Sequence, residues 1–240
     1  MYEMKCEMKY KEYRFETLPS TQVFLREKLH EGEDLLAVAR EQTQGRGTKN
    51  RSFDCGQGGL WFSLLRFHEN TPARDAFLMM ARAAVAVCKT LEEYGLAPKI
   101  KWVNDVLVDG KKICGILTEN RLQGNKIVST LWGVGLNVNN VLLPELTAIA
   151  TTMEAALGRT IDLQTVEESL LAHFYGEFAF AEYAARLAYL GEAVQFTMDG
   201  EPFEAVLNGV NDRGELLLAV GGEEKRYAYG EITLRYKGRI

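Results

Sequence analysis

The chain has 240 residues, a formal net charge of -5 at pH 7 and a pI near 5.4. Hydrophobic residues make up 47% and charged residues 25%. This is the ordinary composition of a globular protein with a sizeable core, built as one large domain or as a large and a small one. The negative charge excludes a global attraction to nucleic acid or to an anionic membrane. The longest uncharged run, from Ile127 to Pro144, contains asparagines and glycines, which excludes a membrane helix.

Cysteine and histidine usage argues against a structural zinc site. The cysteines, at positions 6, 55, 88 and 114, form no CxxC pair, and the chain has 3 histidines. Scattered cysteines are typical of proteins from a reducing cytosol. The N-terminal sequence MYEMKCEMKYKEYR is charged throughout and lacks the apolar centre of a signal peptide. We therefore expect a cytoplasmic protein.

The first half of the chain predicts strands joined by short helices and loops. Three apolar runs predict strands, at residues 13–18, 35–40 and 60–67. Pro19 ends the first strand, and Ser20 with Thr21 follows where the N-cap of a helix belongs. Taken alone, Ser20 and Thr21 are explained by helix capping.

A cationic, glycine-rich loop joins the second and third predicted strands. It begins with Gly45-Arg46-Gly47 and continues with further cations at Lys49 and Arg51. Glycines let a ligand approach the backbone closely, and arginines suit carboxylate or phosphate groups through charged hydrogen bonds. The loop therefore predicts an anion-binding site, with a solvated surface loop as the alternative. It matches neither the P-loop nor the dinucleotide-binding glycine pattern.

A long helix and two hairpins follow. Thr71-Pro72 predicts the start of the helix, with proline in its first turn, and Gly95 predicts its end. Asp109-Gly110 predicts a tight hairpin, and a second hairpin turns at residues 123–125. Because successive strand residues point to opposite faces, only one of the two lysines after Gly110 can point into a site on a given face.

The C-terminal part changes character near Leu190. Residues 165–190 predict helix, whereas short strands and tight turns follow Gly191 and predict a small β-barrel. We therefore expect an α+β fold with two domains, at residues 1–190 and 191–240. The first would hold a mixed β-sheet with helices on one face.

Several separated motifs, in their order and spacing, resemble one known family. They are Ser20-Thr21, Gln42, Gly45-Arg46-Gly47, the KWVND sequence at 101–105, KICGIL at 112–117, GVGLNVN at 133–139 and GEITLR at 230–235. Together they resemble the catalytic module and C-terminal SH3-like barrel of biotin–protein ligase, also called biotin–[acetyl-CoA-carboxylase] ligase. The resemblance covers nearly the whole chain from about Phe15.

The resemblance implies a two-step, AMP-forming reaction. Biotin and Mg-ATP would give biotinyl-5′-adenylate and pyrophosphate, with Mg²⁺ serving the nucleotide. A lysine of a biotin carboxyl carrier domain would then take the biotinyl group and release AMP. Family members commonly dimerise, so the resemblance also makes a homodimer plausible.

The resemblance also implies the site residues. Lys112 and Arg46 would be catalytic, since they can screen and orient the reacting anions. The implied biotin-binding residues are Ser20, Thr21, Gln22, Gln42, Arg46, Gly47, Thr48, Lys112 and Gly115. The implied ATP-binding residues are Arg51, Phe53, Trp102, Asn104, Asp105, Asn137 and Arg235. The metal ligands are undetermined: Asp105 is a candidate, with a structural hydrogen bond as the alternative. Taken alone, Trp102 also fits a protein core and Lys112 a solvent-exposed hairpin.

The chain departs from the family pattern at a few positions. Thr48 stands where members often carry a basic residue, so weaker retention of the adenylate is expected unless Lys49 or Arg51 compensates. Asn50 replaces a frequent glycine, and Val103 replaces the proline of KWPND. The segment ahead of Tyr13 shows no winged helix-turn-helix, so we expect a short form that binds neither DNA nor membrane.

Two other functions stay open at this point. A lipoate–protein ligase would use a similar fold and the same chemistry on a different acid. A biotin or nucleotide sensor without turnover would keep the site but lose catalysis, which the threonine at position 48 suggests. The run of GRG, KWxND and GxGxNVN motifs favours biotin over lipoate.

Overall fold

The computed structural model describes residues 10–47 and 52–234. Seven strands form the larger sheet, in the order β1-β2-β3-β7-β6-β5-β4. They are β1 (Lys11–Leu18), β2 (Leu35–Gln42), β3 (Leu60–Pro72), β4 (Lys99–Lys101), β5 (Asp105–Val108), β6 (Lys111–Gln123) and β7 (Lys126–Leu136). Among these strands, β1 and β2 pair in parallel and the other neighbours pair antiparallel. The predicted mixed sheet is confirmed.

Five α-helices accompany this sheet within the described residues. They are α1 (Thr21–Glu27), α2 (Ala76–Glu93), α3 (Met153–Leu157), α4 (Leu163–Tyr175) and α5 (Phe180–Ala185). Short 3₁₀ turns lie at Leu29–Glu31, Ala73–Asp75 and Pro144–Leu146. None of the helices in the described ranges combines the length and the apolarity that a membrane span requires.

The helices cover both faces of the larger sheet. Strand alternation sends Leu36 and Val38 of β2 into the core shared with α2, α4 and α5. Their neighbours Leu35 and Ala37 point the other way and pack with Leu25 of α1. The predicted placement on one face therefore holds for α2, α4 and α5, while α1 packs on the opposite face.

The long helix begins later than the sequence predicts. Thr71 and Pro72 end β3, where they pair with Ile127 and Lys126 of β7, and the helix starts only at Ala76. The preference of proline for a first helical turn is overridden here by sheet pairing with the β6–β7 hairpin. Pro72 accordingly has extended dihedral angles, φ -63 and ψ 144. At the other end, the predicted stop is confirmed, since Gly95 follows the C-cap with φ +82.

The predicted helix from residue 165 to 190 is two helices rather than one. α4 ends at Tyr175 and α5 begins at Phe180, with Gly176 in an extended conformation between them. Arg82 of α2 stabilises this helix end, because its Nη1 donates to the carbonyl oxygens of Phe174 (3.2 Å) and Gly176 (2.8 Å). These carbonyls lie at the helix end, where no intrahelical donor reaches them.

The C-terminal part forms a second, antiparallel sheet of five strands. They are β8 (Ala193–Met198), β9 (Glu201–Val210), β10 (Leu216–Val220), β11 (Glu223–Tyr227) and β12 (Ile232–Leu234), in the order β11-β10-β9-β8-β12. Val194, Phe196 and Leu207 of this sheet belong to the same hydrophobic core as α2. The boundary between residues 190 and 191 stays a prediction.

The hairpin at Asp109-Gly110 has the predicted form. Asp109 has φ +49 and Gly110 has φ +75, the two positive angles that a type I′ turn requires. The turn joins β5 to β6 directly, so Lys111 and Lys112 begin β6 on opposite faces. This local geometry directs Lys112 to the site described below.

We predict that α1 depends on Leu25 for its place on the sheet. Leu25 is fully buried, so Leu25→Ala should lower the free energy of unfolding by about 2–5 kcal/mol. Leu122→Ala is the control, because this leucine is 55% exposed and its truncation should cost less than about 0.5 kcal/mol. Urea unfolding followed by circular dichroism measures both, and an equal loss in the two variants would contradict the assignment.

Candidate active site

A cleft of about 640 Å³, open to solvent, lies where α1, the β2–β3 loop, β6 and β7 meet. Ten residues named from the sequence line it: Ser20, Thr21, Gln22, Gln42, Arg46, Gly47, Phe53, Asn104, Lys112 and Gly115. They come from five separated stretches of the chain. The fold therefore gathers most of the predicted site residues in one place.

One end of the cleft is a polar wall with fixed hydrogen-bond directions. The backbone N–H of Thr21 donates to Gln42 Oε1 at 2.7 Å, and the Thr21 hydroxyl donates to the same oxygen at 3.0 Å. A backbone N–H can only donate, so the atom facing it must be the amide oxygen. The Gln42 nitrogen therefore faces Cys55 Sγ, at 3.2 Å, and the Thr21 oxygen is left to accept from Ser63 Oγ at 2.8 Å.

The start of α1 brings this wall into position. Ser20 is extended, and its side chain accepts a hydrogen bond from the Val23 N–H at 3.5 Å, as expected of an N-cap. Both Ser20 and Thr21 are nevertheless at least 95% buried and line the cleft. Capping and cleft lining therefore coexist in this turn: local sequence indicated the first, and the family resemblance implied the second.

The opposite end of the cleft carries cations. Lys112 points into it, and its Nζ lies 2.6 Å from Asp105 Oδ1 and 5.3 Å from the centre of the Phe53 ring. Lys111 points away, and its Nζ donates to the Thr147 carbonyl at 2.9 Å. This is the separation of the two lysines that strand alternation predicts.

Arg46 adds a second cation to the cleft, from the β2–β3 loop. The backbone of Arg46 pairs with that of Ser52 in an isolated antiparallel β-bridge. The carbonyl of the neighbouring Gly45 accepts a hydrogen bond from the Phe53 N–H. Within residues 10–47 and 52–234, no carboxylate forms a salt bridge with Arg46. Its guanidinium is thus able to bind an anionic ligand group in bidentate fashion.

Two glycines form the floor between the ends. Gly115 of β6 and Gly135 of β7 lie opposite each other in the sheet, and the Phe53 ring rests on them. A Cβ atom at Gly115 would come within 2.9 Å of Phe53 Cε2, and one at Gly135 within 2.7 Å of Phe53 Cε1. Only glycine leaves room for an aromatic ring at this distance from the strands.

Three predicted site residues lie beside the cleft rather than in it. Asp105 is adjacent, since its carboxylate holds Lys112. Asn137 is buried, donates to the Thr151 carbonyl at 3.1 Å and accepts from Asn140 at 3.3 Å. Trp102 is 6% exposed and donates from Nε1 to the Gly214 carbonyl at 3.0 Å. Thr48, Arg51 and Arg235 fall outside the described residues.

Several lining residues were given no site role from the sequence: Arg26, Cys55, Ser63, Gly133 and Gly135. The two glycines were noted only as part of the GVGLNVN motif. Ser63 could have been identified from the sequence, because it is a polar residue inside a buried apolar strand. Cys55 could not, since its place depends on pairing with Gln42 across the loop. Burial raises the pKa of the Cys55 thiol to about 12, so it serves as a neutral partner of Gln42 rather than as a nucleophile.

The geometry defines a class of binding site. A polar wall, a glycine floor and a cationic end suit an elongated small molecule that is polar at one end and anionic at the other. Hydroxyl and amide groups would recognise the uncharged end, and Lys112 with Arg46 the anionic end.

Comparison with known proteins gives this site a family. Residues 14–137 match the biotin/lipoate A/B protein ligase family, and residues 189–235 match the biotin protein ligase C terminal domain. The chain belongs to the biotin/lipoate A/B protein ligase family. The resemblance drawn from the sequence motifs is thereby confirmed.

Two curated relatives and one solved structure illustrate the match. The chain is 33% identical over 220 residues to the bifunctional ligase/repressor BirA of Bacillus subtilis (strain 168), covering 84% of this chain and 66% of that protein. It is 29% identical over 203 residues to a biotin–[acetyl-CoA-carboxylase] ligase of Paracoccus denitrificans, covering 75% of this chain and 82% of that protein. The chain thus spans 66% of the length of the Bacillus relative.

Among solved structures, a biotin protein ligase from Aquifex aeolicus in complex with biotin and ATP has a similar fold. The TM-score is 0.76 at 27% sequence identity, over 94% of this chain and 99% of that one. The similarity extends over both sheets, because the shared region includes nearly the whole of both chains.

We predict that the glycine floor is needed for ligand binding. Gly115→Ala places a methyl group against Phe53 and Lys112, and overpacking of about 1.4 kcal/mol would weaken biotin binding roughly tenfold. Gly56→Ala is the matched control, because a Cβ there meets nothing within 4 Å. Isothermal titration with biotin distinguishes the two variants. Unchanged biotin affinity in a correctly folded Gly115→Ala protein would show that the glycine floor is not part of the binding site.

Proposed function

We propose that this protein activates biotin with ATP and transfers it to a lysine of a biotin carboxyl carrier domain. The observation that carries the proposal is the single cleft that joins the Thr21–Gln42–Ser63 wall to the cations Arg46 and Lys112. Both ends of biotin are matched by this arrangement. The ureido ring carries N–H donors and a carbonyl acceptor, and the valeryl chain ends in a carboxylate.

In the first step, an oxygen of the biotin carboxylate attacks the α-phosphorus of ATP. The new P–O bond forms as the bond to pyrophosphate breaks, which leaves a mixed anhydride. The two reactants repel each other because both are negatively charged. Lys112 and Arg46 offset that repulsion and orient the carboxylate, and both effects are strongest at the transition state, where charge spreads over phosphorus.

Asp105 prepares Lys112 for this role. Its carboxylate, 2.6 Å from the ammonium, holds the lysine side chain across the end of the cleft before any ligand arrives. The lysine does not lose rotational freedom on binding, so less of the binding energy is spent on ordering it.

In the second step, the amine of the acceptor lysine attacks the acyl carbon of biotinyl-5′-adenylate. The amide bond forms, the acyl–oxygen bond breaks, and AMP leaves with the electron pair. The amine loses a proton to solvent in this step. We place the nucleotide at the Lys112 end of the cleft, bordered by Phe53 and Asn104. Contacts from Arg51, Asn137 and Arg235 remain predictions, while Trp102 is omitted because its indole is bound to Gly214.

Magnesium is expected to enter with the nucleotide. Mg²⁺ prefers oxygen ligands, keeps several waters and is commonly held by substrate phosphates with one or two carboxylates. Asp105 pairs with Lys112 through Oδ1, so Oδ2 is the oxygen that it could offer to Mg²⁺. Within the described residues no group of three or more histidine, cysteine, aspartate or glutamate side chains is placed to hold a metal. We therefore propose a phosphate-bound Mg²⁺ rather than a resident metal.

The remaining features of the proposal concern the whole protein. We propose a catalytic domain at residues 1–190 and a C-terminal domain at 191–240, in a cytoplasmic homodimer. The acceptor is proposed to be the carrier domain of a biotin-dependent carboxylase. The net charge of -5 supports the expectation that nucleic acid is not a partner.

A lipoate ligase is the alternative that the polar wall disfavours. The dithiolane ring of lipoate has no N–H or carbonyl group, so Thr21, Gln42 and Ser63 would be left without ligand partners. Because these groups already bond to one another, lipoate would lose only the hydrogen bonds that biotin adds, each worth about 0.5–1.5 kcal/mol. Titration of the protein with each acid separates the two functions, and tighter binding of lipoate would reverse the assignment.

The decisive experiment is mass spectrometry of a carrier domain incubated with this protein, biotin and Mg-ATP. We expect the mass to increase by one biotinyl group on one lysine. A protein that binds biotin and releases no pyrophosphate would instead be a sensor without turnover. A control carrier with its acceptor lysine replaced by arginine should remain unmodified.

We predict that Lys112→Ala lowers the rate of adenylate formation roughly 10²-fold or more, because a charged contact to the transition state is lost. Lys111→Ala is the matched control, since Lys111 is the adjacent lysine, is exposed and binds the Thr147 carbonyl. Biotin-dependent pyrophosphate release measures both. A Lys112→Ala variant as active as the Lys111→Ala variant would show that Lys112 is not catalytic.

A further inference from the structure

We propose that the turn at residues 211–215 of the C-terminal sheet is a positioning element for Lys112, and that it acts through Trp102. The inference rests on the proposed function and adds a positioning residue to it. It gives the second sheet a specific task in the first reaction step. Neither Trp102 nor the turn lines the cleft, so both would act through other residues.

The connection begins at the turn. Gly214 has φ +83, and its carbonyl accepts the hydrogen bond from Trp102 Nε1 at 3.0 Å. The conformation of the turn is fixed by Asn211, whose Oδ1 accepts from the N–H groups of Arg213 (3.1 Å) and Glu215 (3.0 Å). The carbonyl is therefore presented to the indole by a rigid turn and not by a loose loop.

The turn is also fitted to the larger sheet's helices. A Cβ atom at Gly214 would overlap the ring of Phe77 in α2, so the turn lies directly against that helix. Phe77 in turn packs edge-on against Tyr183 of α5, with ring centres 5.3 Å apart. Tyr183 donates from its hydroxyl to the carbonyl of Val103 at 2.9 Å. Two independent contacts thus hold the backbone at residues 102 and 103.

The segment from Trp102 to Asp105 leads to Lys112. Asn104 is bound to β6 by two hydrogen bonds with Ile116: its Nδ2 donates to the Ile116 carbonyl at 2.7 Å, and its carbonyl accepts from the Ile116 N–H at 3.0 Å. Asp105, the next residue, pairs with Lys112 at 2.6 Å. Only residues 103 and 104 separate Trp102 from Asp105, so we expect a shift at Trp102 to displace the carboxylate that orients the ammonium.

The size of the expected effect follows from the geometry of catalysis. A displacement of about 1 Å in a positioned group can reduce the rate up to roughly 10²-fold. Trp102→Phe keeps an aromatic ring beside Tyr229, with which Trp102 makes an edge contact at 5.9 Å, and removes only the N–H donor and one ring. We expect kcat for pyrophosphate release to fall about tenfold, with the biotin dissociation constant unchanged within about twofold.

The chain offers a matched control for this substitution. Trp132 is also buried, and its Nε1 donates to a backbone carbonyl, that of Met79, at 2.8 Å. Trp132→Phe therefore removes the same atoms and the same kind of hydrogen bond without touching the segment that leads to Lys112. It should lower the melting temperature in the way that Trp102→Phe does and leave kcat close to the wild-type value.

A second variant alters the turn that binds Trp102 and leaves Trp102 itself unchanged. Asn211→Ala removes the side chain that shapes the turn and leaves the larger sheet untouched. We expect it to lower kcat in the same direction as Trp102→Phe. It also keeps the proposal testable if Trp102→Phe does not fold. Wild-type kcat in folded Asn211→Ala would overturn the proposal.

A double-mutant cycle tests whether Trp102 acts through Asp105. Effects on kcat of Trp102→Phe and Asp105→Asn should be less than additive, because each disturbs the same orientation of Lys112. A general loss of stability would instead give additive effects. Additivity, or an equal fall of kcat in Trp132→Phe, would overturn the proposal.

A measurement without turnover separates this proposal from the proposed function. The labelling rate of Lys112 by acetic anhydride, followed by peptide mass spectrometry, reports how firmly Asp105 holds the amine, with Lys111 as internal reference. Trp102→Phe should raise the Lys112 rate several-fold and Trp132→Phe should not. If the wild-type protein releases no pyrophosphate, the labelling result still decides the positioning role, and equal rates in all three proteins would refute it.

Discussion

The ion pair between Lys112 and Asp105 is the interaction on which the site depends, and the fold supplies its two members from different strands. Asp105 begins β5 and Lys112 lies at the start of β6, on the two sides of the Asp109-Gly110 turn. The tight turn brings the two residues to the same end of the cleft. A longer loop would leave the ammonium free to turn into solvent, where its charge would do little for a reaction between two anions.

The cleft beside this pair keeps its uncharged polar side chains apart from its cations. The Thr21–Gln42–Ser63 wall is made of groups whose donors and acceptors are fixed by a backbone N–H. The paired glycines at 115 and 135 leave the space between the ends free of side chains of their own. On the proposed function, recognition and chemistry would therefore be carried by different residues of one cleft.

Features that depend on residues close together in the sequence were predicted correctly, whereas features that depend on distant residues were not. The Asp109-Gly110 turn and the cap at Ser20 depend on neighbouring residues, and the sequence predicted both. The start of α2 was predicted wrongly because Pro72 belongs to a strand whose partner, Lys126, lies far along the chain. The helix end after Tyr175 is stabilised by Arg82, a contact that sequence periodicity does not reveal.

The site shows the same division. Lys112 and Arg46 were predicted from their motifs and both line the cleft, and strand alternation correctly separated Lys112 from Lys111. Cys55 was missed because its contact with Gln42 exists only once the loop has folded back. Trp102 was predicted to contact the nucleotide, and the sequence did not indicate that its indole N–H binds the Gly214 carbonyl of the second sheet's β9–β10 turn. A sequence motif identifies a residue as important, but it does not show which other residue the side chain contacts.

The composition of the polar wall has a consequence for the conditions under which ligand recognition works. Hydroxyl and amide groups do not titrate between mild acid and mild alkali, and the Cys55 thiol has a pKa near 12 because it is buried. The wall therefore presents the same donors and acceptors throughout this range. Any change in ligand affinity with cellular acidity must arise from the opposite end of the cleft or from the ligand's own carboxyl group.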